Sequence, residues 1–199
     1  MNSRKFSDQE LRTFFSHIDL DNSGTINAIE LQRVLLNGDW TPFNTDTIQL
    51  LLNLFDTNRN GTIHYEEFLG LWRYIEDWKR IFVAFDKDNS GNIDINELSL
   101  AMNNFGLNIS EEMLSRFVKR YKIKYSTLNT LNNEHQKKVI VNQKVVINQG
   151  NLTVNFDSFV QLCVTVKSLT EAFRVLDGNH DGWAKLNYEQ FMELIVKYK

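Results

Sequence analysis

The chain has 199 residues, with 22 basic against 25 acidic side chains, a formal net charge of −3 and 42% hydrophobic residues. That apolar share is enough for a packed core, and nothing resembles the basic field that nucleic acid requires. No apolar run approaches a membrane span, the first six residues hold no signal-peptide core, and a lone Cys163 offers no disulfide framework, so a reducing, cytoplasmic setting is expected.

A first helical run ends Phe15-Ser16-His17-Ile18 and meets Asp19. The next twelve residues place Asp19, Asp21 and Ser23 at positions 1, 3 and 5, Gly24 at 6, Ile26 at 8 and Glu30 at 12. That spacing suits a hard cation of calcium's size. Short side chains supply oxygens, the glycine permits a sharp turn, Thr25 offers its carbonyl, and the glutamate contributes two oxygens. Glu30-Leu31 with Val34 and Leu35 opens a second helical run. Pro42, the only proline, marks the break that follows. The pattern returns over 56–67, after Leu52-Asn53-Leu54-Phe55, with Asp56, Asn58, Asn60, the Thr62 carbonyl and Glu67. It returns again over 86–97, after Phe82-Val83-Ala84-Phe85, with Asp86, Asp88, Ser90, the Asn92 carbonyl and Glu97. Helix, loop and helix with a full ligand set, three times over, read as EF-hands. Charge count ranks the third loop first, since Asp86, Asp88, Asp94 and Glu97 are all acidic. The first loop follows, and the second, with Asp56 and Glu67 alone charged, comes last.

The repeat continues in altered form. Leu114, Phe117, Val118 and Tyr121 predict another entering helix, and Val154-Asn155-Phe156-Asp157-Ser158-Phe159 resembles a loop end with an exiting helix. Its first ligand position is Lys122 and its twelfth is Ser158, so this fourth unit does not chelate. Residues 123–153 form an insertion rich in Asn, Gln and Lys. It reads as a polar excursion or as a loose hairpin of 139–141 against 145–147, with an interaction surface as the alternative. A fifth unit follows Phe173-Arg174-Val175-Leu176, with Asp177, Asn179, Asp181, Gly182 and the Trp183 carbonyl. Counting twelve lands on Tyr188, with Glu189 one place late. Calcium is therefore expected to be weak there, unless the loop takes magnesium or stays empty.

Position 8 of such a loop lies on a short strand whose backbone groups need a partner. Ile26 can pair with Ile63, and Ile93 with Val154, but the stretch 184–186 of the fifth unit is left over. Association with a second fifth unit across a two-fold axis resolves this, with Leu169, Phe173, Leu176, Phe191, Leu194 and Ile195 as the apolar contact. Folding back on its own domain is the alternative. The expected fold class is all-α in a single domain, with five helix-loop-helix units at about 6–38, 43–74, 76–105, 111–165 and 167–199. Short paired β segments join the loops, and the degenerate fourth unit carries the insertion. His17, His64, His135 and His180 are scattered, and none meets a nucleophile or zinc partner at useful spacing, so no enzyme is expected.

Three segments carry a closer likeness: 36–44 (Leu-Asn-Gly-Asp-Trp-Thr-Pro-Phe-Asn), 70–78 (Gly-Leu-Trp-Arg-Tyr-Ile-Glu-Asp-Trp), and Gly182-Trp183 with Tyr188-Glu189-Gln190. Together with the five loops they resemble the penta-EF-hand family over about residues 6–197. The chain departs from that pattern in lacking a Gly/Pro-rich N-terminal extension, in its long insertion, and in a second loop better equipped for calcium. The resemblance implies a calcium-dependent adaptor that forms homodimers or heterodimers through its fifth unit. It implies an apolar groove, lined by Trp72, Trp78, Phe105 and Tyr188, that captures proline-rich segments of proteins in membrane traffic. Peripheral association with membranes, or entry into the nucleus, would follow calcium. Flat rings do suit polyproline ridges, although helix–helix packing is the ordinary use of such side chains. A calcium buffer and a regulatory subunit of a calcium-dependent protease are the competing readings.

Overall fold

The computed structural model describes residues 6–120 and 152–198. Their elements run α1 (Asp8–Ile18), α2 (Ala28–Val34), α3 (Thr45–Phe55), α4 (Tyr65–Phe85), β1 (Ile93–Asp94), α5 (Ile95–Asn104), a helix over 111–120 taken as α6, β2 (Thr153–Val154), α7 (Phe156–Leu176) and α8 (Tyr188–Tyr198). The expected hairpin of 139–147 lies outside the described residues.

Helix starts are set locally. Ser7 caps α1: its Oγ accepts from the Glu10 N–H at 3.3 Å while the Glu10 carboxylate accepts from the Ser7 N–H at 2.8 Å. The same reciprocal cap opens α2 at Asn27 with Glu30, and α5 at Asp94 with Glu97. The twelfth loop residue is thus the third residue of the exiting helix. One carboxylate serves both the helix start and the loop.

Pairing between loops follows the expected register. Ile26 and Ile63 exchange two N–H···O bonds of 2.8 Å, and Ile93 stands opposite Val154 in the antiparallel β1–β2 pair. All four side chains are buried. Two long helices, α4 and α7, each exit one unit and enter the next. They pack on each other, with α1, α3 and α5 against α4 and α3 also against α7. Between them runs an aromatic core in which Phe82 meets Phe156 and Phe159 edge-on, with ring centroids 5.4 and 5.5 Å apart.

Loop position 4 is left-handed at Asn22, Arg59, Asn89 and His180, with φ between 54° and 59°. Position 6 follows suit, and at Gly91 φ is +77° with nothing within 4 Å of a Cβ built there. Gly91→Ala is therefore expected to cost backbone strain alone, about 1–2 kcal/mol. That corresponds to a drop of about 2–8 °C in the melting temperature of the calcium-free protein. Gly38→Ala, equally open but without a positive φ, is the control, and an equal drop there would remove the strain argument.

Candidate calcium loops and apolar cavity

Loop one gathers its acids at the mouth of α2. Asp19 and Glu30 are buried, and one carboxylate oxygen each from Asp19, Asp21 and Glu30 lie within 4.8 Å of one another. Asp19 is held by the N–H groups of Ser23 (3.0 Å) and Gly24 (2.8 Å). Glu30 accepts from the N–H of Leu20 at 2.9 Å and of Asn27 at 3.0 Å. The Thr25 carbonyl accepts from the Ser23 hydroxyl at 3.1 Å. The Ser23 hydroxyl and N–H beside Asp21 hold its carboxyl below the usual range. Asp21 therefore stays charged where an ordinary aspartate begins to protonate.

Loop three repeats this geometry. Asp86, Asp88 and Glu97 converge within the same 4.8 Å, and Asp86 and Glu97 are buried. Glu97 accepts from the N–H of Lys87 (2.8 Å) and Asp94 (3.0 Å), and the Asn92 carbonyl accepts from the Ser90 hydroxyl at 3.0 Å. The Ser90 hydroxyl and N–H hold Asp88 below the usual carboxylate range. Both triads are oxygen-only, charged and already clustered, which fits a hard divalent cation of calcium's preference. Asp94 departs from the expectation that it adds a fourth acid to the site. Its Oδ1 accepts from the N–H groups of Asn96 (2.8 Å) and Glu97 (2.9 Å), so it caps α5 and contributes charge at a distance.

Loop two keeps the backbone bonds of the other two and differs in its side chains. Glu67 Oε1 is taken up by the Thr57 N–H (2.9 Å) and hydroxyl (2.7 Å), and its Oε2 by the His64 N–H (2.9 Å). Burial pushes the Glu67 carboxyl up, but these donors outweigh it and hold it low. Asn58 turns its amide nitrogen to Glu67 at 3.4 Å, and Asn60 Oδ1 accepts from the Thr62 N–H (2.9 Å) and hydroxyl (2.8 Å). Asp56 is held by the N–H groups of Asn60 and Gly61. Among the described residues only loops one and three bring three such groups together.

The fifth loop corrects the count of twelve. Asp177 accepts from the N–H groups of Asp181 (3.2 Å) and Gly182 (3.0 Å), Asn179 donates to Asp181 at 2.8 Å, and the Trp183 N–H donates to Asp181 at 2.8 Å, so the first half is regular. The exiting helix then starts two residues late. Asn187 stands before α8 and exchanges bonds with Gln190, at 3.0 Å from its own N–H and at 2.9 Å to its Oδ1. Gln190, and neither Tyr188 nor Glu189, takes the place that Glu30 and Glu97 hold. The two-residue lengthening is invisible to fixed counting, but the Asn-x-x-Gln cap was legible. Gln190→Glu is expected to raise divalent-ion affinity at this loop by about tenfold. Calorimetry on a protein lacking Glu30 and Glu97 would measure it, and unchanged heats would mean that the lengthened loop cannot close.

The four groove rings do not form one row. Trp78 stacks edge-on with Phe105 (centroids 5.9 Å apart) and Phe159 (5.8 Å). With Ile81, Leu107 and Cys163 the Trp78–Phe105 pair lines a cavity of about 310 Å³, completed by Lys167, Thr170, Glu171 and Arg174 of α7. Arg174 donates to the Gly106 carbonyl at 3.4 Å, spanning from α7 to the α5–α6 connector. Trp72 belongs elsewhere, against Phe6, Phe14 and Phe68. Its buried Nε1 finds no acceptor among the described residues. Tyr188 stands on α8, largely exposed. Trp40 is 81% exposed at φ +66°, on a turn closed by the Leu36–Pro42 bridge.

The expected dimer residues lie on the end of α7 and on α8. Leu169, Phe173, Phe191 and Ile195 are exposed, while Leu176 and Leu194 are half-buried. No helix of the described residues is long and apolar enough to cross a membrane.

A model of an EF-hand domain pair matches residues 8–73, and one of an EF hand domain matches 77–105. Sorcin of Schistosoma japonicum is 37% identical over 182 residues, covering 92% of this chain and 91% of that protein. Peflin of Danio rerio is 31% identical over 187 residues, 94% of this chain but 60% of that protein. Human peflin matches at the same identity over 57% of its length, so the chain spans about three fifths of these relatives. A homolog of programmed cell death 6 protein from Leishmania major has the same fold, with a TM-score of 0.71 at 24% identity, covering 96% of this chain and 95% of that one. The chain is a calcium-binding EF-hand protein and belongs to the penta-EF-hand family, alongside sorcin and peflin.

Proposed function

We propose that this protein is a calcium sensor and adaptor that captures proline-rich segments of partner proteins, in the cytoplasm and at membranes engaged in traffic. The observation that carries this is the Trp78–Phe105 cavity. It lies between α4, which leads into loop three, and the connector that follows α5, which leaves it. A change in the angle of α5 as Glu97 takes up calcium acts directly on Phe105 and Leu107. Calcium supplies the charge that draws the loop acids together. The protein supplies the closing glutamate, the lever helix and the aromatic wall. A flat aromatic wall receives a preformed proline ridge at little entropic cost.

The exposed apolar side chains of α7 and α8 support a dimer through the fifth unit, because a face carrying Phe173, Phe191 and Ile195 is unfavourable in water. The partner in that dimer is a second copy or another chain with a like fifth unit.

Capture from cytosol, with and without calcium, tests the reading. Proteins with proline-rich tracts should be retained by the wild type in calcium and lost with the Glu30→Ala/Glu97→Ala variant. Equal retention in both sinks the adaptor reading. No calcium-dependent capture, with ion binding intact, identifies a buffer.

A further inference from the structure

The fourth unit carries a buried carboxylate, Asp157, that reaches a distant part of the chain. Asp157 is 0% exposed. In α2 and α5 the loop acid stands third after the cap, but α7 is capped by Asn155, and Ser158 holds that third place. The acid has moved one residue back, roughly 100° around the helix. It meets the connector between the first and second units instead. Its Oδ2 accepts the Asn44 N–H at 2.6 Å, and its own N–H donates to Asn37 Oδ1 at 3.0 Å. Phe43, just before Asn44, packs edge-on against Phe156 at 5.7 Å, and its carbonyl accepts from Gln32 of α2 at 2.7 Å.

Two distant parts of the molecule meet at this clamp. On one side is α2, the helix that carries Glu30, followed directly by buried Leu35 and Asn37. On the other is α7, one unbroken helix over Phe156–Leu176, whose later turns bring Cys163, Lys167 and Arg174 to the Trp78–Phe105 cavity. We infer that Asp157 is a positioning residue that couples the filling of loop one to the opening of that cavity. When Glu30 closes on an ion and α2 turns, the connector draws the start of α7 with it, and the cavity wall moves relative to Phe105. A buried, charge-assisted bond at a helix start suits this task, because separating it takes a donor from a carboxylate held away from water. The coupling presupposes the calcium-gated cavity proposed above and adds a second input to it.

Cys163, the chain's only cysteine, is 1% exposed on the cavity wall, and burial pushes its thiol pKa well up. Its reaction with dithiobis(nitrobenzoate) therefore follows cavity opening. In calcium, Glu30→Ala is expected to slow that reaction at least about fivefold. In an Asp157→Asn background, which keeps the volume and removes the charge, the Glu30→Ala effect should shrink to within about twofold. Glu97→Ala should slow the reaction in both backgrounds. Asn37→Ala, which cuts the other bond of the clamp, should reproduce the Asp157→Asn result and serves if that variant fails to fold. A full Glu30→Ala effect persisting in the Asp157→Asn protein overturns the coupling and leaves the gated cavity standing. So does a wild-type rate that responds to Glu97→Ala but ignores Glu30→Ala. Rates indifferent to both glutamates overturn the gate and the coupling together.

Discussion

Glu97→Ala is expected to weaken calcium binding at loop three by about a hundredfold or more and to abolish capture of proline-rich partners. The side chain would offer an ion two oxygens from a buried position, and its N–H partners on Lys87 and Asp94 fix its direction. No neighbouring acid can substitute, since Asp94 is committed to the start of α5. Asp94→Ala separates the two roles. It should cost about 1 kcal/mol as a lost cap while calcium affinity falls far less than with Glu97→Ala. Calorimetry for the ion and bead capture for the partner are the measurements. Capture that survives Glu97→Ala in calcium would show that the third loop does not gate the cavity.

A Phe173→Asp/Phe191→Asp protein is expected to be a monomer of 23.4 kDa where the wild type sediments at twice that mass. Both rings are at least 40% exposed on adjoining helices of the fifth unit. Burying two carboxylates in an apolar contact should raise the dimer dissociation constant by about a thousandfold or more. Neither residue belongs to loops one or three, so calcium stoichiometry there should be unchanged. A wild type that is itself monomeric at micromolar concentration would leave the fifth unit's apolar face to a different chain. A double variant that still sediments as a dimer would move the interface elsewhere.

The sequence by itself determined the loops. Ligand chemistry at fixed spacing is a local property: the oxygens of Asp19, Asp21 and Glu30, and of Asp86, Asp88 and Glu97, converge because twelve residues of backbone leave little choice. Position 8 pairing was legible for the same reason, so that Ile26 meets Ile63 and Ile93 meets Val154. Local pattern failed where a residue's job depended on its neighbours. Counting could not see that α8 starts two residues late and puts Gln190 in the glutamate's place, nor that Asp94 faces its own helix. Only the tertiary structure decided which aromatic rings meet. Trp72 and Trp78 share α4, but the helix turns them to different neighbours, Phe14 and Phe68 for one and Phe105 and Phe159 for the other. Asp157 reads in sequence as one more acid in a spent loop. Asn37 and Asn44 lie more than a hundred residues away in the chain, and the packing of α7 on the first two units puts them within a hydrogen bond of it.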